Sequence, residues 1–193
     1  MAYNDEAVVK IATAHFYLAP KGTAAPVNPM EPGPEWEDVG HTTLDSILSM
    51  SSEGGEKAVL GSLQNRNLRT SYADKNTTFN FAIHQFDDKG LKLYLGSNAV
   101  TDKSGRIGPA DTPAPTNSAW LVVVEDGDRY FDFYAPSADI IGSEDLSLDD
   151  TESLASLPLS VTPLRMEKFK SAWFTSPVKS VTSGSAGGGS ASE

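Results

Sequence analysis

The chain contains no cysteine among its 193 residues, so it can form neither a disulfide bond nor a thiolate metal site. It has no apolar run near the roughly 18 residues that span a bilayer. No basic segment followed by an apolar run occurs near the N-terminus. We therefore expect a soluble intracellular protein that makes no membrane contact and is stabilised by packing or by association.

Basic residues are also scarce, with 15 Lys and Arg against 26 Asp and Glu and a formal net charge of -11. Affinity for nucleic acid depends on Lys and Arg that neutralise phosphates, which argues against ordinary DNA binding. Ten of the acidic residues lie between positions 125 and 152, where Arg129 is the one base. Such a run of acidic residues is typical of a solvated loop. Two alternatives are that it lines an acidic channel or that it contacts basic residues of another subunit.

Residues that could carry catalysis are few. The chain has three histidines, namely His15, His41 and His84. Their spacing matches no known catalytic or metal site, and the chain has no Gly-x-Ser-x-Gly elbow and no phosphate-binding glycine loop. We expect no enzymatic activity and no cofactor, and we interpret His84 as a hydrogen-bonded structural residue.

A short acidic segment offers the one alternative metal site. Asp126, Asp128 and Asp132 could supply oxygen ligands to calcium, but they lack the spacing of an EF-hand. The Asp-Gly-Asp sequence is more typical of a turn at a hairpin tip.

Alternation of apolar and polar residues with a period of two dominates the chain, most clearly over residues 77–84. Gly54-Gly55 predicts a hairpin between strands at 46–52 and 56–63, and Asp126-Gly127 predicts one between 120–125 and 129–134. Further strands are predicted at 11–18, 67–73 and 157–164, the last at a sheet edge or a bulge rather than in a central position because of Pro158 and Pro163. About eight strands, mostly antiparallel, predict a β-sandwich or barrel.

One short helix is predicted on the flank of this sandwich, from Asp87 or Asp88 to Leu95, with an aspartate at its N-cap and Gly96 at its end. Leu91 and Leu95 share one face of it and should pack on the sheets. Residues 146–154 could form a second short helix. The tryptophans are expected to be core or interface anchors, at positions Trp36, Trp120 and Trp173.

Two long proline-rich segments, residues 19–35 and 97–118, are predicted to be arms that dock on neighbours, because proline lowers the entropy lost on docking. Residues 180–193 are rich in Gly and Ser and are expected to be disordered. The predicted organisation is one domain over residues 1–179 followed by this tail.

Several segments, taken in order, carry a resemblance to a known family. They are Val39-Gly40-His41-Thr42-Thr43, Gly54-Gly55, Ile83-His84-Gln85-Phe86-Asp87, Leu93-Tyr94-Leu95-Gly96, Val123-Val124-Glu125-Asp126-Gly127-Asp128 and Leu157-Pro158. With these segments the chain resembles the major tail tube protein of long-tailed, siphovirus-type phages of actinobacteria. The resemblance extends from the N-terminus to about Trp173.

The resemblance implies a tail-tube-like β-sandwich, related in fold to the tube protein of type VI secretion, whose subunits form stacked hexameric rings. The implied function is that of a virion protein assembled in the host cytoplasm, whose tube conducts the genome during ejection. The implied partners are copies of itself, a tape measure protein, a tail terminator, a tail tip protein and tail chaperones. DNA would pass through the lumen without specific binding.

Within such a tube, strands of the two glycine-containing hairpins are our candidates for the inner barrel. The candidate channel-lining residues are small, polar or acidic: Ser49, Ser51, Glu53, Glu56 and Asp132. The candidate residues of an inter-ring arm, in the segment 97–118, are Asp102, Lys103, Arg106 and Asp111. The alternative is a monomeric β-sandwich binding module of a virion, which would need aromatic residues clustered on one exposed face.

Overall fold

The computed structural model describes residues 3–44, 47–146, 148 and 151–181. These residues form a short 3-10 helix (Asp5–Ala7), one α-helix and thirteen strands. The helix is α1 (Asp88–Leu95), and the strands are β1 (Thr13–Pro20), β2 (Glu37–Asp38), β3 (Ser49–Gly54), β4 (Lys57–Leu60), β5 (Arg69–Tyr72), β6 (Lys75–Ile83), β7 (Val100–Thr101), β8 (Ile107–Gly108), β9 (Thr116–Asp126), β10 (Arg129–Gly142), β11 (Leu157–Pro163), β12 (Phe174–Thr175) and β13 (Lys179–Ser180). Eight of these strands have four or more residues, which agrees with the predicted number.

The main sheet has the antiparallel order β2-β1-β9-β10-β11-β6-β3, and β12 and β13 pair with the first half of β10. It folds over on itself, because the ring of Phe16 on β1 stacks on Phe81 of β6 at a centroid distance of 4.5 Å. Trp120 on β9 likewise lies 5.0 Å from Phe79 of β6. The fold is therefore the predicted antiparallel β-sandwich. Layer one contains β2, β1, β9 and the first half of β10, and layer two contains the second half of β10, β11, β6 and β3.

Strand β10 belongs to both layers because a register shift between Ala135 and Ala138 bends it at Pro136. Proline has no amide hydrogen to donate to a sheet, and a bulge is a position where it is tolerated. The bulge also keeps apolar residues inside the sandwich on both sides of the bend: Ala135 before it and Ala138 and Ile140 after it are fully buried. The corner of the sandwich is thus built into this single strand.

The main core fills the space between the two layers. Its fully buried residues come from both layers and include Trp120, Val122, Phe79, Ile83, Leu157, Leu159 and Val161. Phe131, Phe133 and Trp173 are partly buried against it. Of the tryptophans predicted to be core or interface anchors, Trp120 belongs to this core and Trp173 packs against it. Burying this apolar surface is the main force that stabilises the fold.

A second core covers the outer face of layer one. Leu121, Val123 and Tyr134 point out of the sandwich there and are covered by Met30 of the proline-rich segment 19–35 and by Trp36, which directly follows that segment. The Tyr134 hydroxyl donates a hydrogen bond to the Thr23 carbonyl at 2.7 Å and anchors this segment. Burial raises the pKa of Tyr134. The segment packs on its own domain along much of its length.

The prediction of a hairpin turn at Gly54-Gly55 is wrong. Strand β3 pairs with β6 rather than with β4, and β4 pairs with β5. The ladder continues through the glycines, since the Gly55 amide donates to the Asp74 carbonyl at 3.1 Å. A Cβ atom at Gly54 would collide with that carbonyl, so the two positive φ angles form a kink in one long hairpin. Its tip lies at residues 61–68, where the Ser62 amide donates to Asn65.

The edge position predicted for residues 157–164 is also wrong. Strand β11 lies between β10 and β6, with Leu159 opposite Gly142 on one side and Phe81 on the other. Its two prolines, Pro158 and Pro163, stand near the two ends of the seven-residue strand. Only one of the two flanking strands is paired at each of these positions, so the missing amide hydrogens cost little.

Helix α1 has its predicted bounds. The Asp87 carboxylate accepts a hydrogen bond from the Gly90 amide at 2.7 Å, and Gly96 ends the helix with φ of +105°. Leu93 is buried and Leu91 and Tyr94 pack against the main core, so the helix closes one end of the sandwich. The face that packs is therefore centred on Leu93 rather than on the predicted pair of Leu91 and Leu95.

Three further predictions concern residues 97–118, 146–154 and 180–193, and each either differs from the structure or lies partly outside the described residues. The segment 97–118 contains β7 and β8, and its last three residues belong to β9. No helix occurs among the described residues of 146–154, while Ser147, Asp149 and Asp150 lie outside them. Ser180 pairs with Arg129 in β13, and residues 182–193 lie outside the described residues.

Candidate assembly face

The outer face of layer two carries small polar side chains. In an antiparallel ladder, directly opposed residues point to the same side. The pairs Ser49 with Asn80, Ser51 with Thr78 and Ser160 with Asn80 alternate with core residues, so all point away from the core. We call this surface the polar face. Its polar members are Ser49, Ser51, Glu53, Asn76, Thr78, Asn80, Ser160, Thr162 and Asp139, and the same register places the apolar residues Ala82, Ile141 and Pro158 on this side.

The polar face carries two carboxylates, Glu53 and Asp139, and none of its strand positions holds Lys or Arg. Asp139 accepts a hydrogen bond from the Asn117 amide group at 2.6 Å, and Asn117 Oδ1 accepts one from Ser137. The strand positions of this face are weakly charged and hold no cation for a phosphate. Lys75, Arg165 and Lys170 lie beside one end of the face, in a groove that Asn76 and Thr162 also line.

The two outer faces of the sandwich differ sharply. The segment 19–35 and aromatic residues near Phe169 cover the outer face of layer one, whereas no described segment covers the polar face. All six residues of β3 are exposed, and β3 is the last strand of the sheet order. One of its edges therefore has unpaired backbone groups, and such an edge can pair with another chain.

The predicted channel residues separate into three places. Ser49, Ser51 and Glu53 lie together on the polar face. Glu56 follows the glycine kink, at the base of the long hairpin, where its carbonyl accepts from the Ala73 amide. Asp132 lies opposite Val123 on the outer face of layer one and pairs with Ser176 through two hydrogen bonds.

Sequence reasoning missed the rest of the polar face. Thr78 and Asn80 alternate with Phe79 and Phe81, so the period-two pattern already put them on the side away from the core. Ser160 and Thr162 have the same relation to Leu159 and Val161. What the pattern could not supply was the strand order that makes these residues neighbours of Ser49 and Ser51.

The predicted inter-ring residues lie on a compact exposed loop. Asp102 accepts hydrogen bonds from the Ser104 hydroxyl at 2.7 Å, the Ser104 amide at 2.8 Å and the Arg106 amide at 2.9 Å. The Ser104 hydroxyl and the Arg106 amide lower the pKa of Asp102. Asp102 therefore holds the turn between β7 and β8, on which Lys103 and Arg106 are exposed, while Asp111 is exposed on the connection that follows β8.

The residues considered for catalysis or metal binding have structural partners. His84 Nδ1 lies 2.9 Å from the Ala155 carbonyl, which confirms the interpretation of a hydrogen-bonded histidine. Asp126 forms an ion pair with Arg129 at 2.9 Å. Among the described residues, no cluster of three or more His, Asp and Glu could hold a metal ion.

His15 lies between two carboxylates, 3.8 Å from Asp38 and 3.6 Å from Glu125. Its ring stacks on Tyr17, whose pKa is raised by burial and then by the same two carboxylates. In the part of the chain that the structure describes, no helix has the length and apolar character needed to cross a membrane.

Comparison with known proteins identifies the family. The model of a family described as phage tail tube protein matches residues 1–182. The chain belongs to the phage tail tube protein family. It is 35% identical over 182 residues to the major tail protein Gp23 of Mycobacterium phage D29, covering 86% of this chain and 89% of that protein. The identity and both coverages are the same for the major tail protein Gp23 of Mycobacterium phage L5.

This tail tube protein is therefore a structural component of a phage virion tail, of the kind found in phages that infect actinobacteria. The resemblance stated from the sequence is confirmed. A tail tube protein assembles with copies of itself and with other tail proteins, so the uncovered polar face and the exposed β3 edge are the surfaces to consider for assembly.

Proposed function

We propose that six copies of this tail tube protein form a ring and that stacked rings enclose the channel through which the genome leaves the virion. The observation that carries this proposal is the polar face. It is the one outer face of the sandwich without a described covering segment, and it ends at the exposed strand β3.

Ring closure would occur through the sheet. Strand β3 of each subunit would add to the layer-two sheet of its neighbour, which satisfies the unpaired backbone groups of β3. Repeated six times, layer two then forms a closed inner barrel. A barrel has no free edges, so closure also removes the tendency of β3 to pair with unrelated chains.

The polar face would line the lumen of this barrel. Hydroxyl and amide side chains would keep the wall hydrated, and none of the strand positions that make up the polar face holds Lys or Arg, so these positions offer DNA phosphates no counter-charge. Ser49, Ser51 and Glu53 of the predicted lining fit this arrangement, and Asp132 lies on the other layer. DNA would slide past such a wall without specific binding.

Other contacts of the proposed tube use the loops. The compact loop around Asp102, with Lys103, Arg106 and Asp111, would contact the next ring. A tape measure protein, terminator, tip protein and chaperones would complete the tail in the host cytoplasm. A monomeric binding module is not favoured, because Phe79 and Phe81, which such a module would need on its surface, are buried.

Site-specific labelling tests the lumen assignment, since the chain has no native cysteine. Ser51→Cys places a thiol on the polar face, and Val27→Cys places one at a fully exposed position of the segment that covers layer one. In dissociated subunits both thiols should react with a maleimide carrying a large polyethylene glycol. In assembled tubes the Ser51→Cys thiol should be protected while the Val27→Cys thiol still reacts.

Equal reactivity of the two thiols in tubes would contradict the lumen assignment. Protection of Val27→Cys together with labelling of Ser51→Cys would show that the sandwich is oriented the other way round. A small maleimide, which can diffuse along the channel, should label both positions and serves as the control for thiol reactivity.

A further inference from the structure

The groove beside one end of the polar face differs in charge from the chain as a whole. It lies where β6 begins and β11 ends, and we call it the basic groove. Its lining consists of residues 74–77, 162–165 and 170–173. Among these described residues are three cations, Lys75, Arg165 and Lys170, and one carboxylate, Asp74. The lining therefore has a formal charge of +2, in a chain with a net charge of -11.

The three cations of the basic groove are not neutralised by the protein itself. Within the described part of the chain none of them forms an ion pair, whereas Lys89, Lys92 and Arg129 each pair with a carboxylate. All three side chains are exposed. Like charges that share one groove raise the local positive potential, which attracts an anionic partner.

The backbone that carries these cations is held in place. The Leu164 amide, directly before Arg165, donates to the Ser137 carbonyl at 2.8 Å. The ring of Trp173 packs edge-on against Phe79 at a centroid distance of 5.3 Å and fixes the wall that follows Lys170. A groove whose walls are already formed loses little conformational entropy when a partner binds.

The polar side chains of the basic groove suit a phosphate. Asn76 and Thr162 belong both to this groove and to the polar face, and Thr77 and Ser171 add hydroxyl groups. Lys, Arg, Ser, Thr and Asn are the side chains with which proteins contact DNA phosphates. The Arg165 guanidinium can also donate two parallel hydrogen bonds to one phosphate.

We infer that the basic groove binds phosphate groups of the DNA backbone at one end of the polar face. The inference rests on the proposed function, because the passage of DNA along the polar face is what brings phosphates to the groove. Each subunit of a ring then adds a cationic contact to a wall whose strand positions hold no Lys or Arg. Phosphate contacts read no sequence and allow sliding, so the groove guides the genome without arresting it.

The openness of the groove keeps each contact weak. Its volume is about 500 Å³, enough for roughly sixteen water molecules at about 30 Å³ each. Exposed cations in such a hydrated space are screened by salt over roughly 8 Å. A weak contact of this kind is released as readily as it forms, which passing DNA requires.

Salt-dependent binding of DNA tests the inference on dissociated subunits of the full chain. The probe is a short fluorescent DNA duplex, and fluorescence anisotropy measures its affinity. Three phosphate contacts predict an affinity that falls about 40-fold between about 50 and 200 mM salt, since each contact contributes roughly 0.9 to the slope of log affinity against log salt. No binding of the duplex at the lower salt concentration would overturn the inference.

Removal of the cations tests the location of the contact. The variant with Lys75→Ala, Arg165→Ala and Lys170→Ala should bind the duplex about tenfold more weakly or worse at the lower salt concentration, with a flatter salt dependence. The matched control removes three exposed cations from outside the groove through Lys21→Ala, Lys103→Ala and Lys179→Ala. The control should bind like the parent chain, and equal losses in the two variants would overturn the site.

Footprinting on the unaltered chain gives a second readout that does not depend on how a variant folds. A lysine-acetylating reagent is applied with and without the duplex, and mass spectrometry measures the modification of each lysine. DNA should protect Lys75 and Lys170 and leave Lys21 and Lys179 as reactive as in the free protein. Protection of all four lysines to the same degree, or of none, would contradict binding in the basic groove.

Two further outcomes separate this inference from its alternatives. If an oligoglutamate peptide protects Lys75 and Lys170 while the duplex does not, the partner is an acidic protein segment and the inference fails. Electron micrographs that show tubes of a chain without groove-dependent DNA binding leave the tube proposal standing and overturn the phosphate site. Groove-dependent binding by subunits that never form tubes supports the phosphate site and contradicts the tube proposal.

Discussion

Single residues hold the loops of this tail tube protein in place through backbone geometry. Gly40 has φ of +92°, and a Cβ atom built there would collide with the Gln85 side chain. That side chain is itself fixed by the His41 amide, which donates to Gln85 Oε1 at 3.2 Å. The Val39-Gly40-His41 segment is thus a corner where a glycine is needed both for its φ angle and for space.

Replacing Gly40 with alanine should lower the free energy of unfolding by more than about 1 kcal/mol, because a left-handed φ alone costs an alanine roughly 1–2 kcal/mol and the Gln85 contact adds to it. Chemical denaturation measures the change. Gly108→Ala is the control, since Gly108 has no positive φ and no atom near its Cβ position, and it should change little. Equal effects of the two variants would contradict this account of Gly40.

Asp102 has a comparable role in the loop between β7 and β8. Its pKa is lowered in the folded protein, so the stabilisation that it provides is present above the ordinary aspartate value of 3.8 and is lost as the pH falls through the lower folded value. Asp102→Ala should therefore speed amide hydrogen exchange at Ser104 and Arg106 at neutral pH. Asp102→Asn, which keeps an acceptor oxygen, should have the smaller effect. Unchanged exchange in Asp102→Ala would contradict the role of Asp102 in holding this loop.

At the scale of elements, sequence reasoning worked best where a local signal sufficed. Helix α1 has the predicted bounds because its cap at Asp87 and its end at Gly96 are encoded within ten residues. The hairpin predicted at Asp126-Gly127 is present, with Asp126 opposite Arg129. Gly54-Gly55 failed because two glycines suit a tight turn and a kink equally well, and the pairing partners of β3 and β4 are distant in sequence.

The cap of α1 gives an element-scale prediction. Asp87→Ala removes the acceptor for the Gly90 amide and should cost about 1 kcal/mol of stability. Asp88→Ala removes only an exposed ion pair with Lys92 and should cost less than about 0.5 kcal/mol. Denaturation midpoints of the two variants measure the difference. A cost for Asp88→Ala equal to that for Asp87→Ala would show that the cap is not what holds the helix.

The compact loop around Asp102 gives another prediction at this scale. Replacing residues 100–108 by two glycines removes β7 and β8 but leaves β9, which starts at Thr116, intact. The variant should keep the thermal stability of the isolated subunit to within a few degrees, because the loop adds little to either core, and it should fail to form tubes. Tubes of normal length, seen by electron microscopy, would remove this loop from the ring contacts.

At the scale of the whole molecule, composition and alternation predicted the β-sandwich, and the resemblance predicted the family. The placement of the candidate channel residues in the fold could be predicted only in part from the sequence, because it depends on which layer each strand joins. Asp132 and Glu53 have similar sequence surroundings, because each is an acidic residue in an alternating segment near a glycine that was predicted to form a turn. The bend of β10 at Pro136 puts Asp132 in layer one, far along the fold from Glu53 in layer two.

The polar face shows why the net charge of -11 does not by itself describe the proposed lumen. Its strand positions hold two carboxylates, Glu53 and Asp139, among hydroxyl and amide side chains. What DNA would meet in the proposed tube depends on the distribution of charge over the fold rather than on its total.

Cryo-electron microscopy of the concentrated full chain tests the central proposal most directly. We predict hollow tubes of six-fold rings, in which β3, β6 and β11 of every subunit line the channel with Ser51, Thr78 and Ser160 facing the lumen. Particles with the mass of a single chain at every concentration, or tubes whose channel is lined by layer one, would contradict it.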